Sequence, residues 1–100
     1  MDLAHQNLAV AVGAAKEQAK ALMLDAQRHG RVPTGRTSSA YLSLAVMHEQ
    51  LLTVDPPPPP LAHFVPDLEQ LVRACGGGLA PVKPLIEAAL RIAREASDAP

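Results

Sequence analysis

DLAHQNLAVAVGAAKEQAKALMLDAQRHG, residues 2–30, decides the fold, because Gly13 is its one interior residue that disfavours a helix and Gly30 closes it. Leu8, Val12, Ala15, Ala19, Leu22 and Ala26 recur in alternating steps of four and three, the spacing that keeps side chains on one side of a 3.6-residue helix. Leu3, Val10, Ala14, Ala21 and Leu24 fall on the opposite side, interrupted by Glu17 and Arg28. Lys16, Lys20 and Gln27 form one polar strip between the two faces, and Asn7, Gln18 and Asp25 form the other. A helix of a self-contained bundle needs one apolar stripe. Two stripes predict one face for the chain's own core and a second for a partner. The expected helix covers about 2–29, with Asp2 as N-cap and Gly30 in the left-handed closing position.

The rest of the chain reads as three shorter helices. Gly30, Pro33 and Gly35 mark a loop, after which Thr37, Ser38 and Ser39 offer capping hydroxyls, so a second helix is expected over 39–54. Ala40, Tyr41, Leu44, Met47, His48 and Leu51 share one of its faces, with Leu42 and Val46 opposite. Pro56–Pro60 is incompatible with a helix and reads as a polyproline II spacer of roughly 15 Å. A third helix over 65–75 accepts Pro66 in its first turn and aligns Phe64, Leu68, Leu71, Val72 and Cys75, with Asp67, Glu69, Gln70 and Arg73 on its other side. Gly76, Gly77 and Gly78 stop it, and a fourth helix over 82–97 lines up Val82, Leu85, Ala89, Ile92 and Ala96. The last two helices are one-faced, which predicts helices one and two at the centre of an assembly and helices three and four outside it.

The expected architecture is therefore all-α: one domain over 1–100, a small bundle of about four helices with one long N-terminal helix. Its predicted core includes Leu8, Val12, Leu22, Leu44, Leu51, Leu68, Leu71, Leu85 and Ile92. At 1.5 Å per residue the first helix would be about 42 Å long against roughly 16–24 Å for the others. Either helices two and three lie end to end along it, or a second copy covers the remainder. The dimer is the preferred reading, with Leu3, Val10, Ala14, Ala21 and Leu24 as the self-association face.

Composition narrows the function. Nine Lys or Arg against ten Asp or Glu leave a net charge of −1, which disfavours a broadly basic nucleic-acid binder. Aromatics make up 2% of the chain, so burial must come from closely packed small aliphatic groups. Cys75 is the single cysteine and permits no intrachain disulfide. No secretory leader pattern or membrane-spanning apolar run is present, so a soluble cytoplasmic protein is expected.

Each candidate chemistry has a plainer structural reading. His5, His29, His48 and Glu49 lack the spacing of a helical zinc site, so no metal or other cofactor is predicted. His63, after the prolines, is expected in solvent. Cys75 sits on an apolar stripe at a helix C-terminus, where the dipole disfavours a thiolate. Ser38, Ser39 and Ser43 lack a nucleophile-elbow motif, and Gly76–Gly78 lacks the Lys and Ser or Thr of a phosphate loop. No catalytic residue is assigned. Pro56–Pro60 is read as a spacer, with docking to an SH3-like aromatic groove as its functional counterpart.

Arg28, Arg31 and Arg36, with His29 and Ser38, make the one basic concentration, a candidate anion or nucleic-acid contact. The leading expectation is a non-catalytic interaction or oligomerisation protein that is a subunit or regulator of a larger intracellular assembly, forming a homodimer and open to a further protein partner. The alternatives are a nucleic-acid-associated regulator using the basic loop 28–39 and a small enzyme or ligand carrier with a pocket lined by His5, Tyr41 and His48.

Overall fold

α1 (Leu3–Arg28) runs unbroken through Gly13 and ends in a Schellman motif. Gly30 takes a left-handed φ of 69°, the Arg31 amide donates to the Ala26 carbonyl at 2.8 Å, and the Gly30 amide donates to the Gln27 carbonyl at 3.0 Å. This computed structural model describes residues 3–32 and 35–98, so the cap expected at Asp2 and the loop role of Pro33 lie outside the described residues. Among those residues it is all-helical: α1 is followed by α2 (Gly35–Leu52), α3 (Val65–Ala74) and α4 (Lys83–Asp98), with single 3-10 turns at Leu61–Phe64 and Gly77–Leu79.

α1 and α2 lie antiparallel. His5 near the start of α1 meets Pro59 beyond the end of α2, and Lys16 in the middle of α1 meets His48. At Gly13 the His48 ring of α2 lies against the α1 backbone, so that an added Cβ would stand 3.0 Å from His48 Nε2. The glycine that disfavours a helix by propensity thus makes room for the imidazole ring. α2 begins about one turn before the expected residue 39. Thr37 is buried and continues the stripe Ala40, Leu44, Met47 and Leu51. Packing against α1 therefore extends the helix toward Gly35 and places the three hydroxyls inside its first turns instead of at its cap.

The expected spacer contains a cis Asp55–Pro56 bond and delivers the chain into the Leu61–Phe64 turn, where Leu61 and Phe64, three apart, are both buried. α3 follows with Pro66 in its first turn. The Gly77–Leu79 turn buries Leu79, and α4 then folds back against α3, with Glu69 Oε2 3.3 Å from Arg94 and 3.8 Å from Arg73.

The predicted placement of the helices needs correction. α1 packs on both α2 and α4, and α4 packs on α1, α3 and the Leu61–Phe64 turn. α1 and α4 are therefore central, with α2 and α3 outside. Two neighbours widen the buried arc of α4 to Ile86, Ala89, Leu90 and Ala93 beyond Val82, and leave Leu85, Ile92 and Ala96 half-buried at its edges. Leu22 is likewise half-buried. Of the predicted core, Leu8, Val12, Leu44, Leu51, Leu68 and Leu71 are buried.

Candidate functional site

The inner face of α1 is sealed by the chain itself, since Leu8, Val12, Ala15 and Ala19 have no solvent exposure. The other face is open along the whole helix. Leu3 is 70% exposed, Val10 74% and Leu24 43%, and Ala14 and Ala21 between them are exposed as well. Glu17 and Arg28 stand exposed on the same side. The surface is a narrow apolar stripe with small residues at its centre and a few charges beside it. A stripe of that kind admits close approach of another helix, because alanine adds little bulk between two backbones. Leu42 and Val46, on the side of α2 away from its buried stripe, are 61% and 54% exposed.

At the α1–α2 crossing, the Lys16 ammonium donates to His48 Nδ1 at 3.0 Å, so His48 carries its proton on Nε2 when neutral. Burial and the neighbouring Lys16 charge lower the His48 pKa, against a smaller opposing influence of Glu17. His5 Nε2 donates to the Pro59 carbonyl at 2.9 Å. On α1, His5 and the Gly13–Lys16 segment opposite His48 are about two to three turns apart, roughly 12–16 Å at 1.5 Å per residue. The structure thus does not bring His5 and His48 into one pocket, and Tyr41 is half-buried against the core.

The basic residues also diverge. Arg31 lies 4.0 Å from the Asp25 carboxylate in a cleft shared with Leu22 and Thr37, and His29 Nδ1 donates to the Asp25 backbone carbonyl at 2.8 Å. Arg36 instead lines a groove of about 520 Å³ between α2 and α3. Arg28 is exposed and Ser38 half-buried. Asp25 offsets part of the local positive charge, and Arg31 and Arg36 line different clefts.

Ser39 and Ser43 line the α2–α3 groove with His63 and Asp67. No hydrogen bond among the described residues joins either serine to His63 or Asp67. His63 is exposed and meets Phe64 edge-on at 5.3 Å between ring centroids. Burial pushes the half-buried Cys75 thiol upward, with Lys83 drawing it down less strongly, and a raised pKa disfavours the reactive thiolate. Among the described residues, no three His, Cys, Asp or Glu side chains converge as a metal site. No helix there is long and apolar enough to cross a membrane.

No family model, curated protein or solved structure matches the chain. The functional reading therefore rests on its own surfaces. The period of α1 marked its open face in advance, whereas the α2–α3 groove had no advance signal because it depends on how two separate helices are set apart.

Proposed function

We propose that this protein is a non-catalytic helical interaction protein that pairs with a second copy through the outer face of α1 and acts as a subunit or regulator of a larger intracellular assembly. The observation that carries the reading is the exposure of Leu3, Val10 and Leu24 on a helix whose opposite face is already sealed. Placing that stripe against its symmetry mate would remove apolar surface from water on both copies, and each copy would supply the same patch.

Size sets the strength. A 26-residue helix is about 39 Å long and roughly 10 Å wide, so its face offers about 400 Å² per copy. A standard stable interface contributes about 800 Å² per partner. α1 alone therefore supports a weak, concentration-dependent dimer, which the rest of an assembly would reinforce.

Size-exclusion chromatography with light scattering tests this over loads from about 1 μM to several hundred micromolar. The expected mass rises with concentration from the 10.5 kDa of one chain toward twice that value. Val10→Asp and Leu24→Asp should remain monomeric with unchanged far-UV circular dichroism, because both positions are exposed. A monomer at every load, or variants that associate as the parent does, would reject the reading.

A further inference from the structure

We propose that the proline turn between α2 and the Leu61–Phe64 turn is a separate docking site for a protein whose groove is lined with aromatic rings and rimmed by Lys or Arg. Five prolines run from Pro56 to Pro60, and Pro60, at φ −57° and ψ 151°, has polyproline II geometry. That helix has three residues per turn, so residues three apart share an edge. Pro58 is half-buried and Leu61 buried, which turns their edge into the protein, while Pro57 and Pro60 are both exposed. The result is an outward P-x-x-P edge, the form that aromatic grooves read.

The edge is already held in place. His5 Nε2 donates to the Pro59 carbonyl at 2.9 Å and fixes the stretch to the start of α1, so a partner meets a segment with little left to order. Pro56–Pro59 also form one wall of an open cleft of about 390 Å³, faced by Val46, Glu49 and Gln50 of α2 and by Thr53 just beyond its end. A partner's aromatic side chain fits against the proline rings and Val46. The charge beside it is negative: Glu49 lines the cleft, Asp55 is exposed next to Pro56, and none of the lining residues is Lys or Arg. A cationic rim complements that pair. The site shares no residue with the outer face of α1, so either surface can fail without the other.

The chain contains no tryptophan, so tryptophan fluorescence in a mixture belongs to an added reader domain. The 100-residue chain is titrated up to about 1 mM into isolated SH3, WW and EVH1 domains. The expected result is a saturable fluorescence change with at least one domain, weakened at least about tenfold in a Pro57→Ala, Pro60→Ala double variant with unaltered circular dichroism. Glu49→Lys should weaken the same binding. No saturable change with any of the three domains, or binding that the double variant retains, overturns the site. Binding indifferent to Glu49→Lys overturns the cationic rim.

Discussion

Gly13→Ala is a sharp probe of how α1 meets α2. In an exposed helix interior this change stabilises by about 1 kcal/mol, because alanine restricts the unfolded chain and favours the helix. Here the new methyl would lie 3.0 Å from His48 Nε2 and 3.4 Å from Cδ2, so the ring must yield by a few tenths of an ångström. The movement strains the 3.0 Å contact between Lys16 Nζ and His48 Nδ1, a half-exposed hydrogen bond whose loss costs about 1 kcal/mol. Crowding adds a cost on the order of 1 kcal/mol. The expected outcome in the parent protein is no gain, or a net loss of up to about 1 kcal/mol. In a His48→Ala background the obstacle is gone and the helical gain should return, giving a coupling energy of about 1–2 kcal/mol. Urea unfolding followed by circular dichroism on the four proteins measures it. Equal stabilisation in both backgrounds, within about 0.3 kcal/mol, would show that the helices do not approach at Gly13.

Acid should weaken the fold through the same residue. The folded-state pKa of His48 lies below its ordinary 6.5, so its contribution is present above about pH 6.5 and is lost as pH falls through the lowered value, where the unfolded chain binds the proton first. Urea midpoints near pH 7.5 and pH 5 should draw closer together in His48→Gln, and an unchanged gap would argue against this origin. In the core, Leu44→Ala should cost about 2–5 kcal/mol because Leu44 has no exposure. Leu42→Ala, on the open side of the same helix, should cost less than about 0.5 kcal/mol; similar losses at both would mean that α2 is rotated. Arg94→Gln removes the 3.3 Å contact with Glu69, whose partners are 54% and 32% exposed, and solvent screening limits its cost to less than about 1 kcal/mol. A thermal scan showing a larger loss would indicate that the pair is shielded from solvent.

The two faces of α1 were legible because a period of 3.6 repeats over many residues, and each apolar position adds to the same signal. Short elements carry no such repetition. Leu61 sits in a 3-10 turn of four residues and Leu79 follows directly on the three glycines, so neither had a helical period to read, whereas Phe64 of the same turn is in step with Leu68 and Leu71. Thr37 has a capping hydroxyl and also lies in register with Ala40 and Leu44, and its burial against the rest of the fold places the onset of α2 before it. On α4 the sequence pattern shows how apolar a face is, but not that two neighbours, α1 and α3, share it and widen the buried arc. The Lys16–His48 contact depends on the register of α1 against α2, which no local pattern encodes. The same dependence on register separates Arg31 from Arg36, although they are close in sequence.

Pairing through α1 is read out by an intermolecular distance at the middle of that helix. A spin label on Ala14→Cys, in a Cys75→Ser background, sits near the midpoint of the exposed stripe, where parallel and antiparallel pairing both bring it close to its counterpart. Pulsed dipolar spectroscopy at a concentration where dimer is populated should give a distance within about 20 Å, because packed helix axes lie about 8–10 Å apart. A label at Arg91→Cys, on the exposed side of α4, should give a longer one. A short Ala14 distance that disappears with Val10→Asp is the predicted result; no intermolecular coupling at Ala14, or a shorter distance at Arg91, would contradict pairing through α1.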